Sequence, residues 1–261
     1  MSHFYLTLPS NSSMQYYPEN TVAKYTTQLE KAITLEGDWE VALFEIEYRR
    51  SWYTVAADIY SFKFRFSKVG SLKHGKLLRI PPGYYNSVDS LLAEINKAIA
   101  DCCRGEPDVP VFSYDEKTQK VNAKLYIGNI FSFSKNICYL LGISDTTYVR
   151  TTVNGSIWIA DERCDIDRGY ESLYVYCDVL EHVPVGDTTA PLLRVVGVSG
   201  KQCEVVRQIF DKPLYVPVQK KHFESIEINI CNDEGDIVPF EGGKSSVTLH
   251  FRLSKNPYFL P

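Results

Sequence analysis

Several kinds of chemistry are missing from this sequence. It contains no C-x-x-C pair, no H-E-x-x-H, no G-x-S-x-G, no P-loop and no G-x-G-x-x-G. The common signatures of zinc peptidases, serine hydrolases, nucleotide hydrolases and dinucleotide enzymes are therefore all lacking. The H-x-H motif of metal-binding cupin jelly rolls is also missing. These gaps predict a protein that is not an enzyme, with no cofactor and no metal site. No apolar run reaches the roughly 18 residues that a membrane helix needs, so no membrane span is expected. The first residues, Met-Ser-His-Phe-Tyr-Leu-Thr-Leu, have no charged region and no long apolar segment, so no signal peptide is expected. A basic excess is lacking too. The net charge is −4, which argues against a surface built for nucleic acid or anionic lipid.

Cysteine is present without a framework. The seven residues, Cys102, Cys103, Cys138, Cys164, Cys177, Cys203 and Cys231, are odd in number and irregularly spaced, and two are adjacent. That pattern fits reduced, mostly buried thiols of a protein made in cytosol or nucleus better than disulfides or a zinc site.

What the sequence does have is alternation. In Phe223–Leu253, Ile226, Ile228 and Ile230 alternate with Glu227 and Asn229. Val247, Leu249, Phe251 and Leu253 then alternate with Thr248, His250 and Arg252. A period of two places one side of each strand on a core and the other in water. The intervening Asn232-Asp233-Glu234-Gly235-Asp236, Pro239 and Gly242-Gly243 are turn residues. Two such strands need a second sheet over their apolar side. With 18 Tyr and 13 Phe, the composition favours sheet over helix.

Further strands are predicted at 4–8, 22–35, 39–48 and 59–66, with a bulge or two-sided burial near Leu43 and Phe44. After residue 72 the grammar changes. Val88, Leu91, Leu92, Ile95 and Ile99 form one helical stripe, capped near Asn86 or Ser87. A short strand at 77–80 precedes it. A hairpin turning at 115–117 and strands at 121–127 and 130–133 follow it. A second helix uses Ile137, Leu140 and Leu141 and stops at Gly142. Strand grammar returns at 172–180, 192–198, 203–210 and 214–218. The expected architecture is mainly β: a jelly roll or another antiparallel sandwich from residues 1–72 and 166–261, with an inserted α+β subdomain at 73–165.

Candidate sites are sparse. The histidines at 3, 74, 182, 222 and 250 are scattered singly. Asp161, Glu162, Asp165 and Asp167 match no calcium loop and read as a solvated surface. Six Lys/Arg between Lys63 and Arg79 read as the wet side of a strand plus a loop, with phosphate contact the rival reading. The apolar Tyr258-Phe259-Leu260 tail and the Tyr16-Tyr17 loop lie outside the predicted core. Tyr16, Tyr17, Tyr258, Phe259 and Leu260 are therefore the candidate subunit-interface residues.

Three segments together resemble the penton, or minor capsid, protein of Polinton/Maverick elements and adintoviruses. They are FYLTLPSNSSMQYYPENTVAKYTTQLEKAITLEGDWEVALFEIEY, LLRIPPGYYNSVDSLLAEIN and IEINICNDEGDIVPFEGGKSSVTLHFRL. The resemblance implies a single jelly roll that forms a homopentamer at icosahedral vertices, among trimers of a double-jelly-roll major capsid protein. It also implies a place in the virion capsid, assembly inside the host cell in cytoplasm or nucleus, an insertion that projects as an outward tower, and no catalytic residues. The alternative from another class is a non-catalytic ligand-binding jelly-roll module, lectin-like or of the trimeric signalling type.

Overall fold

The computed structural model describes residues 2–56, 63–67, 75–104, 107–144, 149–166 and 170–254. The chain divides into two compact units, Met1–Trp52 with Gly169–Pro261, and Tyr53–Arg168. In chain order, the first unit opens with strands β1 (His3–Pro9), β2 (Lys24–Thr34) and β3 (Trp39–Arg49). The second unit holds β4 (Lys63–Ser67), β5 (Lys76–Arg79), helix α1 (Val88–Cys102), β6 (Val111–Asp115), β7 (Lys120–Leu125), β8 (Ile130–Phe133), helix α2 (Lys135–Leu141), β9 (Val149–Arg150) and β10 (Ser156–Ile159). The first unit resumes with β11 (Ser172–Cys177), the hairpin β12 (Val183–Val185) and β13 (Thr188–Ala190), then β14 (Leu192–Gly197). It closes with β15 (Val205–Ile209), β16 (Val216–Pro217), β17 (His222–Cys231) and β18 (Ser245–Leu253).

Two antiparallel sheets build the first unit, one ordered β1-β18-β3-β15 and the other β14-β11-β17-β2. Numbered along the unit's own chain, its eight long strands interleave as 1-8-3-6 and 5-4-7-2. That is the strand order of a single jelly roll. The physical cause is the alternation already visible in the sequence. Ile226, Ile228 and Ile230 of β17, Val247, Leu249 and Phe251 of β18, and Leu173, Val175 and Cys177 of β11 are all buried in one core. Burying each large side chain contributes roughly 1.5–3 kcal/mol. Phe251 stacks on Phe4 at 4.8 Å and lies 6.1 Å from Phe223, which joins β1, β18 and β17 across the core. The buried Tyr25 of β2 donates its hydroxyl hydrogen to the Leu8 carbonyl at 3.1 Å, a polar tie from one sheet to the other. Of the two readings for Leu43 and Phe44, a bulge or two-sided burial, the bulge is present. Thr248 pairs with Glu45 and Leu249 with Leu43, so Phe44 is the extra residue.

In the second unit, α1 begins at a reciprocal Ser87–Ser90 capping box, so Ser87 rather than Asn86 is the cap. Its stripe of Leu91, Leu92, Ile95 and Ile99 packs with Phe112, Val121, Ala123 and Leu125 of the three-stranded sheet β10-β7-β6. Asn96 bonds both the N–H and the carbonyl of Phe112, each at 2.8 Å, and so closes the outer edge of β6. A second sheet, β5-β4-β8-β9, presents Phe64, Phe66, Phe131 and Phe133 to the same core. Helix α2 ends at Gly142, whose φ is +68°.

Three expectations differ from what is observed. The unit boundary falls at Tyr53, not at residue 73. The segment 59–66 was expected to belong to the sandwich. Residues 59–62 lie outside the described residues, while Lys63–Ser67 pairs with β5 and β8 of the second unit. A period of two says which side of a strand is apolar, and it says nothing about which sheet the strand joins. The cysteines are also less buried than expected. Cys103, Cys177 and Cys231 are buried, Cys102, Cys138 and Cys164 are half-buried, and Cys203 is exposed.

Candidate functional site

Among the described residues, no group of three or more His, Cys, Asp or Glu is placed to hold a metal ion. In the acidic group, Asp161 is bonded locally. Asp161 accepts from the Ser144 hydroxyl at 2.6 Å and the Ser144 N–H at 3.1 Å, and those bonds hold its carboxyl below the usual range. Asp167 lies outside the described residues. In the β17–β18 connection, Asn232 accepts the Asp236 N–H at 2.8 Å and Gly235 has φ +87°, which makes a plain turn. Of the basic run, Arg65, Lys76 and Arg79 are exposed, and Lys76 donates to the Cys102 carbonyl at 3.1 Å. Lys68, Lys73 and His74 lie outside the described residues. No described helix is long and apolar enough to cross a membrane.

The surfaces of the jelly roll are more distinctive. The Ser10–Ala23 connection lies along β2, the outer strand of its sheet. The Ser13 hydroxyl accepts the Gln28 N–H, and the Asn20 amide bonds both N–H and carbonyl of Thr26, all at 2.9 Å. Side chains thus satisfy an edge that would otherwise offer itself to another strand. Tyr17 is fixed in this arrangement, with its hydroxyl donating to Gln28 at 3.0 Å, while Tyr16 is 62% exposed. Both line a pocket of ≈ 450 Å³ with Pro18, Lys24, Thr26 and Glu227. The other interface candidates, Tyr258, Phe259 and Leu260, lie outside the described residues.

A second cleft, of ≈ 400 Å³, opens at the β2–β3 turn, lined by Phe4, Ile33, Thr34, Leu35, Glu36, Trp39 and Leu253. No local sequence pattern marks it, because its walls come from three separated stretches of chain. The sequence reading also missed a cluster on the outward side of β1, β18 and β3. His250 stacks on Tyr5 at 4.3 Å and meets His3 edge-on at 5.5 Å. Arg252 lies over the Tyr215 ring at 3.4 Å and pairs with Glu40 at 2.5 Å. Alternation had placed His250 and Arg252 on one side of β18. Only the β1–β18 register, His3 opposite Arg252 and Tyr5 opposite His250, brings the remaining rings to them.

The strand order makes the first unit a single jelly roll, and the second unit is spliced into the chain between its third and fourth long strands. No family model matches the chain, and no curated protein matches it. Among solved structures, the selenomethionine-labelled penton protein of mavirus is similar over 97% of this chain and 99% of its own, at 11% identity and a TM-score of 0.49. The structure of the Sputnik virophage is similar over 97% of this chain and 98% of its own, at 10% identity and a TM-score of 0.47.

Proposed function

We propose that this protein is a structural minor capsid protein whose copies form the homopentameric penton at the vertices of an icosahedral virion. In this reading it sits among trimers of a double-jelly-roll major capsid protein, and the Tyr53–Arg168 unit projects outward as a tower. The observation that carries the reading is where the three family-like segments fall. The first spans β1 to β3 and the last spans β17 and β18, and these five strands include both ends of the jelly-roll chain. The middle segment runs from β5 into α1 of the second unit. The resemblance therefore touches the frame and the insertion alike. Tyr16, Tyr17, Tyr258, Phe259 and Leu260 are the proposed contact residues, and assembly takes place inside the host cell.

The test is the mass of the native particle over a concentration series, alone and with the major capsid protein. Five copies per ring is the expected result. A trimer would favour the signalling-module reading. A monomer under both conditions would remove the penton assignment.

A further inference from the structure

We propose that the cleft at the β2–β3 turn receives the Pro257–Leu260 segment of a neighbouring copy, so that each chain clasps the next. The inference rests on the ring reading above and names the contact that closes it.

The cleft is a preformed acceptor. Phe4 is held between Phe251, stacked at 4.8 Å, and Trp39 at 5.5 Å. The Trp39 indole N–H donates to the Glu36 carbonyl at 2.9 Å, and the Leu35 N–H donates to the Lys221 carbonyl at 2.8 Å. Leu253, 42% exposed, forms one wall, and its N–H is tied to the Ser2 carbonyl at 3.0 Å. Phe4, Ile33, Leu35, Trp39 and Leu253 supply the apolar part of the lining and Thr34 and Glu36 a polar part, and a volume of ≈ 400 Å³ suits one or two aromatic side chains with a polar tip.

The donor follows directly in the sequence. The Ser254 N–H bonds to the Asp38 carbonyl at 2.8 Å, each the chain neighbour of a cleft-lining residue, Leu253 and Trp39, and Lys255-Asn256-Pro257-Tyr258-Phe259-Leu260 comes next. Its own chemistry opposes folding back into the cleft it has just left. A tight turn at 254–257 needs Asn256 in or near the helical region, which the following proline disfavours. A turn at 256–259, with Asn first and Pro second, is favourable but consumes Tyr258 and Phe259 in the turn itself. Leaving Ser254 without such a turn, the segment would carry the apolar side chains of Tyr258, Phe259 and Leu260 away from its own chain. Donor and acceptor are then different surfaces of one molecule. Such a contact is heterologous, the kind that closes into a ring when the rotation permits.

The experiment places the photo-crosslinking residue p-benzoylphenylalanine at Phe259 in the full chain and irradiates the assembled protein. Denaturing electrophoresis and peptide mapping follow. Covalent dimers and higher multimers are expected, with the crosslink on Phe4, on residues 33–39 or on Leu253. Single-chain crosslinks to those same residues would show the cleft closed by its own segment and overturn the proposal. Multimer crosslinks that map elsewhere, or no crosslink at all, would overturn it equally. A second variant, Leu253→Glu, keeps the strand but charges the wall, and should weaken association roughly tenfold or more. Unchanged association would count against the clasp. Native mass of the unsubstituted protein separates the two levels. Five copies with a misplaced crosslink sinks the clasp alone, whereas the absence of a five-copy species sinks the ring reading.

Discussion

The Tyr215 hydroxyl and Nδ1 of His250 lie 2.8 Å apart, on the outward side of the sheet that holds both chain ends of the jelly roll. This bond uses one ring nitrogen. The other, Nε2, is shielded from solvent and has no hydrogen-bond partner. Tyr5 covers the ring of His250, His3 meets its edge, and the Arg252 guanidinium is nearby on the same strand. A proton added to His250 would put a positive charge in a partly desolvated site already beside Arg252. Burial, His3 and Arg252, in that order, hold its pKa below the ordinary histidine value.

A pH dependence of stability follows. In the unfolded chain His250 binds a proton near its ordinary pKa of roughly 6.5, whereas the folded chain binds it only at lower pH. The stability contributed by the neutral ring is therefore complete above about pH 6.5 and is lost as pH falls through that value toward the folded pKa. Urea midpoints of the native protein and of His250→Gln, measured from pH 8 to pH 5, should converge as the medium becomes acid. Parallel curves would show that His250 is not the group responsible.

Gly142 should not tolerate a side chain. Its φ of +68° is the left-handed region, and a Cβ there would fall well inside contact distance of the Glu162 and Arg163 carbonyl oxygens. The Glu162 N–H also donates to the Gly142 carbonyl at 2.8 Å, which fixes the approach. Gly142→Ala should cost about 1–3 kcal/mol. Hydrogen exchange should show faster exchange in α2, and protection of α2 equal to native would contradict the geometry.

Leu92, 2% exposed, points into the second unit's core from α1. Leu92→Asp buries a carboxylate among Phe and Ile side chains and should cost several kcal/mol, of order 3–5. Limited proteolysis of the variant should cut within 53–168 first. If fragments from Met1–Trp52 or Gly169–Pro261 appear earlier, the two units do not unfold separately.

The thiols should react in a definite order. Cys203 is exposed in a turn and should alkylate at once under native conditions. Burial pushes the Cys177 thiol up to about 12, and the side chain is enclosed in the sandwich core, so it should react only through unfolding. Mass spectrometry of time-resolved alkylation reads each site, and seven labels are expected in denaturant. Labelling of Cys177 at the rate of Cys203 would refute its enclosure.

The sequence by itself determined which side of β17 and β18 faces the core, because alternation in a pleated strand is a local property. It also determined α1, whose stripe and cap lie within sixteen consecutive residues, 87–102. The irregularity at Leu43 and Phe44 was legible for the same local reason, while the β3–β18 register decided that it is a bulge. Tertiary structure decided everything that depends on partners. Lys63–Ser67 alternates as a sandwich strand does, yet its place beside β5 and β8 depends on chain far beyond it. Tyr215 and His250 are 35 residues apart, and their contact exists only because β16 and β18 both pair with β3. The cleft of Phe4, Ile33, Trp39 and Leu253 likewise draws on both ends of the chain. Local periodicity fixes orientation, while register and strand order are set by the summed burial of distant segments.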